Sequence, residues 1–297
     1  MRYFFLYLIF VALFIGNQFQ VKAKVIDDKL NFNAICIDPH NTVWLGGQQG
    51  LYSWNLHKLN KINFADNLVI QQMCEGFNHL FMATNDGRIY TFSLQDQQLK
   101  LLFQSPLRIS DLMVKDDKLF MATKGNGLFI LSAHQLYHFT SANGLNDNYL
   151  YKLSASSNEV YISSDNGVNI LEKNLSIRRI PQNSVLPDRL ATAIAVHDSL
   201  LYIGTEKGDL CQLNSHDTGM IIFNKEIWNG QTILDILPLN KTIAIGTTNG
   251  CYLLDRNGYL IQKETDAETQ HLLVDKEANL WMLGPKRVGL TLGEQLN

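Results

Sequence analysis

The sequence predicts an all-β protein: a seven-bladed β-propeller of four-stranded antiparallel blades, its ring closed by the N-terminal strand. Three observations predict it. First, short apolar runs alternate with turn residues. In Phe32 to Trp54, the runs Ala34 to Ile37, Val43 to Leu45 and Leu51 to Trp54 are separated by Asp38-Pro39-His40-Asn41 and by Gly46 to Gly50. Second, such a unit recurs seven times. The glycine opening its third strand falls at Gly50, Gly87, Gly127, Gly167, Gly208, Gly250 and Gly289, separations of 37, 40, 40, 41, 42 and 39 residues. A period near 40 with several short strands per unit is that of a propeller blade. Third, the seventh unit, from Gln270 to about Gly293, has room for three strands only, whereas Lys24 to Leu30 has no unit of its own. That segment supplies the outermost strand of the last blade, which removes the open sheet edges of an unclosed ring.

Taken in order, the chain begins with Arg2, thirteen apolar residues from Tyr3 to Ile15, and a polar stretch ending Val21-Lys22-Ala23. One positive charge, a short apolar core and small residues before a break describe a secretory signal peptide over residues 1–23, cleaved near Ala23. The apolar core falls short of the roughly 20 residues that span a bilayer as a helix. The propeller domain is expected over 24–297, in a periplasmic or secreted protein whose mature chain has no transmembrane span.

Within the units, Phe120-Met121-Ala122, Leu201-Tyr202-Ile203 and Ile243-Ala244-Ile245 lack polar alternation. A middle strand covered on both faces by neighbouring blades requires this. The small residues Gly46, Ala83, Ala122, Ser163, Gly204, Gly246 and Gly284 let blades approach where they narrow. The repeated glycine supplies a positive φ in the hairpin between second and third strands.

The chain carries 25 basic and 28 acidic residues, and a leader ending at Ala23 removes Arg2 and Lys22. The mature balance is acidic and argues against a nucleic-acid partner. Cys36 and Cys74 sit in first strands, Cys211 and Cys251 in third strands at different offsets from the preceding glycine. Disulfide geometry needs better alignment than that, so four buried free thiols are expected.

The units resemble the two-component regulator propeller repeat of periplasmic sensor proteins. The clearest match is Phe139 to Leu171, where Asn143-Gly144-Leu145, Asn148, Tyr161 and Gly167 fill the family's places. Ile35 to Tyr52 matches through Asp38, Asn41, Trp44, Gly46, Gly50 and Leu51, and His271 to Leu290 through Asp275, Asn279, Trp281 and Gly289. The resemblance implies a sensor propeller. Large sensors of the family continue into an immunoglobulin-like domain, a membrane span and a histidine kinase, whereas this sequence stops soon after its last blade. A separate signalling or membrane partner protein is therefore expected.

Catalytic signals are weak. His134 and His138 have the spacing of a helical metal pair, but on a strand four residues span about 13 Å, too far for one ion. Ser215-His216-Asp217 holds the residue types of a nucleophilic triad as sequence neighbours, which do not converge on one proton path, and Asp217-Thr218-Gly219 reads as a hairpin. No metal, cofactor or catalytic residue is assigned, and the chain is read as a binding or sensing module rather than an enzyme. The rival readings are a propeller lyase or hydrolase, and a protein-interaction scaffold without a small ligand.

The expected binding face is formed by the turns between second and third strands and by the connections between blades. The residues assigned to it are Arg108, Asp147, Asp165, Asn166, Arg189, Lys207 and Trp228, with Lys124 and Asn146 in the same loops. Amides, both charge signs and one loop tryptophan suit a polar small molecule or glycan fragment, Trp228 stacking on it and Arg189 or Lys207 supplying charge.

Overall fold

The computed structural model describes residues 24–25, 30–55, 58–63, 68–133, 135–214, 219–285 and 287–292. The expected leader, His134, Ser215 to Asp217 and Lys286 lie outside them. Seven four-stranded antiparallel sheets form, each of consecutive strands except the last. The innermost strands are Phe32–Ile37, Ile70–Gly76, Ile109–Lys115, Leu150–Ala155, Ala191–His197, Ile233–Pro238 and His271–Val274. Each packs beside the next, and the seventh beside the first, which makes the ring.

Burial follows the apolar pattern that predicted it. Second strands such as Val43–Gly47, Thr242–Thr247 and Leu280–Gly284 are buried at every position. Outermost strands such as Lys58–Ile62 and Leu99–Gln104 are not. Apolar clusters lie between blades rather than within them: Trp228, Tyr202 and Ile233 join blades 5 and 6, and Phe32, Leu45, Trp281 and Val288 join blades 1 and 7. The small-residue positions are tight as expected. A Cβ on Gly46 or Gly204 would lie 2.6 or 2.5 Å from the Cγ2 of Ile70 or Ile233 in the following blade.

Six of the seven repeat glycines take positive φ, from +69° at Gly127 to +138° at Gly250. Gly289 does not. It sits inside the strand Arg287–Thr291, paired with Met282, because blade 7 turns earlier, beyond Gly284-Pro285. All four cysteines are free thiols, Cys74 half-buried and the others buried.

Ring closure takes the expected form. Lys24 and Val25 pair antiparallel with Leu290 and Gly289, completing the seventh sheet. On the same blade pair, Trp54 meets Trp281 edge-on at 5.9 Å, and the Lys276 backbone N–H donates to Asn41 Oδ1 at 2.8 Å.

Candidate functional site

Each innermost strand of blades 1 to 6 carries a β-bulge near its start, at Asn33, Gln71, Ser110, Tyr151 with Lys152, Thr192 and Leu234. A bulge interrupts the two-residue alternation and re-aims a side chain. Here the residue before each bulge, such as Ile70, Leu150 or Ile233, is fully buried between blades. The bulged residues, with Gln270 and His271 of blade 7, line a central cavity of about 450 Å³. The pattern is legible in the sequence as an apolar residue followed by a break in alternation at the start of each first strand. Reading the loops alone missed it.

The cavity opens on the expected face. Arg108 and Lys124 both line it, their backbones joined by a hydrogen bond from the Lys124 N–H to the Arg108 carbonyl at 3.1 Å. No carboxylate is among its lining residues. Ser110 Oγ is buried without a hydrogen-bond partner in the wall. A buried hydroxyl without a partner forgoes a hydrogen bond worth about 1 kcal/mol.

In the bulge of blade 4, and one residue beyond it in blades 3 and 6, lies a belt of charged groups. Lys152 of blade 4 reaches Asp235 of blade 6 (3.7 Å) and lies 3.4 Å from His271 Nδ1 of blade 7. The equivalent positions in blades 1 and 5 are the small residues Ala34 and Ala193. Asp111 and Asp235 also bridge to the following blade, accepting from the Leu153 and Leu272 backbone N–H groups at 2.7 Å each. Burial opposes the Lys152 charge, but attraction by Asp235 and then Asp111 outweighs it and raises the lysine pKa. Burial pushes Asp111 up to about 6, with Lys152 offsetting part of the rise. Asp235 is raised for the same reason. Burial, then the Lys152 ammonium, hold His271 well below the ordinary range, so it is the neutral acceptor of the set.

The residues expected at one binding face separate into four groups. Arg108 belongs to the cavity mouth. Asn166 and Arg189 line a different pocket of about 260 Å³ on blade 4, with Asn146 and Arg179. Asp147, Asp165 and Lys207 are engaged by the chain itself. Asp147 accepts from the Tyr149 N–H (2.8 Å), Asp165 from the Tyr151 hydroxyl (2.7 Å), and Lys207 lies 3.9 Å from Asp188. Trp228 corrects the expectation of a stacking platform. It ends a 3₁₀ turn, Lys225–Trp228, is 0% exposed, and donates its indole N–H to the Gly208 carbonyl at 2.9 Å. A side chain wholly inside the blade 5–6 core touches no ligand.

His138 stacks on Phe129 at 4.1 Å and bonds the Asn126 carbonyl through Nε2 at 2.8 Å. Among the described residues, no group of three or more His, Cys, Asp and Glu side chains is placed to hold a metal ion, and no helix is long and apolar enough to cross a membrane.

No protein-family model matches the chain, and no curated protein matches it. Solved structures do. The extracellular domain of a hybrid two-component system from B. thetaiotaomicron superposes with a TM-score of 0.76 at 16% identity, over 92% of this chain and 43% of that one. A second such domain from B. thetaiotaomicron gives 0.67 at 16% identity, over 88% and 40%. The WD40 β-propeller domain of Doa1 gives 0.70 at 12% identity, over 90% and 96%. The chain therefore spans about two fifths of the length of the two sensor domains. At these identities the likeness is one of fold, and the seven-bladed propeller has extracellular sensor domains of two-component systems among its structural neighbours, as the repeat resemblance implies.

Proposed function

We propose that this chain is an exported ligand-sensing propeller, periplasmic or secreted, that binds a polar small molecule or glycan fragment at the mouth of its central cavity and acts through a separate signalling partner. The observation that carries the reading is the convergence on one cavity of residues from every blade, Arg108 and Lys124 among them, with a buried hydroxyl without a partner. The neighbouring sensor domains support the sensing role by analogy of fold. Arg108 and Lys124 would take the acidic or hydroxyl-rich end of the ligand, while Gln71, Ser110 and Gln270 supply directional hydrogen bonds.

A thermal-shift screen over soluble neutral and acidic glycan fragments tests the reading. Ligand at 100 times its Kd stabilises the fold by about 2.7 kcal/mol, a shift of a few degrees for a domain of this size. Arg108→Gln with Lys124→Gln is expected to abolish the shift. No shift from any compound, together with a stable complex recovered from the native envelope, favours a scaffold. Turnover of a screened compound favours an enzyme.

A further inference from the structure

The smaller pocket on blade 4 is separated from the central cavity by a single turn. Tyr151 lines the cavity and its hydroxyl holds Asp165, whereas the next residue, Asn166, lines the pocket. The pocket draws on four segments: the connection entering blade 4 (Asn146), the turn between its second and third strands (Asn166), the end of its outermost strand (Arg179), and the connection to blade 5 (Asn183, Arg189). Its base is stiff. The fully buried Asn169 accepts from the Asn146 N–H at 2.7 Å and donates to the Gly144 and Arg178 carbonyls, while Asn183 clasps both the N–H and the carbonyl of Val168.

The lining itself carries two arginines and no acid. Arg178 and Arg179 are neighbours on a strand, so they leave it on opposite sides. Arg178 is neutralised by Glu159 (2.7 Å) and Glu172 (3.2 Å). Of the acids near it, Asp188 faces Lys207, while Asp165 and Asp147 accept from the Tyr151 hydroxyl and the Tyr149 N–H, bonds that hold these carboxylates in place without neutralising them. Arg179 and Arg189 line the pocket with no carboxylate partner among the described residues.

We propose that this pocket is an oxyanion-binding site, taking a carboxylate or sulfate group between Arg179 and Arg189 with Asn146 and Asn166 as neutral donors. Two guanidinium groups offer paired N–H donors that match the planar or tetrahedral oxygens of such a group. A volume of about 260 Å³ admits an acid-bearing monosaccharide or a single acid group. The site is distinct from the central cavity and stands or falls without it.

The test is calorimetric titration of the folded protein at low ionic strength, where screening is weak. The probes are sodium sulfate, sodium glucuronate and neutral methyl glucoside. Saturable binding of either anion and none of the glucoside is expected, and which anion binds decides between sulfate and carboxylate. Arg179→Gln and Arg189→Gln are each expected to weaken it roughly tenfold. Arg108→Gln with Lys124→Gln is expected to weaken sulfate binding less than either blade-4 substitution does, since neither residue lines this pocket. Unchanged melting temperatures show that these surface variants are folded. Affinity indifferent to both blade-4 arginines, loss on the cavity variants instead, or absence of saturable anion binding overturns the site.

Discussion

At one end of blades 1 and 7, Asp38 and Asp275 commit their carboxylates to the chain itself. Asp38 accepts from the His40 and Thr42 N–H groups and, through its other oxygen, from the Trp44 indole at 2.9 Å. Asp275 does the same with Glu277, Asn279 and the Trp281 indole, again at 2.9 Å. At the other end, the cavity mouth holds Arg108 and Lys124 without ion pairs among the described residues, and Ser110 without any partner. The Asp–Trp brackets are among the residues through which the sequence resembles a sensor family, yet their geometry is that of turn locks. The likeness thus reports the fold. The polar groups left open lie elsewhere, at cavity positions whose residue type varies from blade to blade.

The contrast can be broken most sharply at the brackets. Asp275→Ala leaves a buried indole N–H and two backbone donors without their acceptor, so a loss of about 3 kcal/mol in urea-unfolding free energy is expected, with ligand affinity unchanged in the surviving folded fraction. A variant that keeps wild-type stability would show that the bracket is ornamental.

The belt, whose Lys152 and His271 line the cavity, lies between these extremes, and pH separates its members. The Asp111 pKa is raised in the folded state, so its contribution to stability is fully present below the ordinary carboxylate pKa and is lost as pH rises to about 6. His271, depressed by burial and by Lys152, works the other way, losing stability as pH falls below its ordinary value. Asp111→Asn removes only the first contribution. Relative to wild type, the variant is expected to be more stable at pH 7 than at pH 4.5, and a difference that is flat with pH would contradict the assignment.

The smallest effect is expected at the mouth. Arg108→Gln with Lys124→Gln removes exposed charges that hold nothing in the fold, so unfolding free energy should stay within about 0.5 kcal/mol of wild type. A larger loss would make these residues structural and weaken their claim as ligand groups.

Blade number, closure and buried strands were legible because they rest on one-dimensional signals: a period, apolar runs and glycines that turn the chain. The site was less so. Ile227-Trp228-Asn229-Gly230 reads as an exposed loop, but whether its 3₁₀ turn carries the indole outward or beneath Gly208 depends on the neighbouring hairpin. Lys152 and His271 are 119 residues apart and meet only because bulged strands from different blades converge on one axis. Arg189 and Lys207 look alike as loop cations. Asp188, beside Lys207 in space, is what distinguishes them.

Closure has a consequence in time. Blades 1 to 6 each complete themselves from one continuous stretch, but the seventh pairs Val25 with Gly289. At roughly 5–20 residues per second, the earlier of those partners waits on the order of 10 to 50 s for the later one to be synthesised. Through that interval the ring is an open arc with two bare flanks. How well those flanks avoid wrong pairings until the last strand is made governs how much of the protein reaches its closed form.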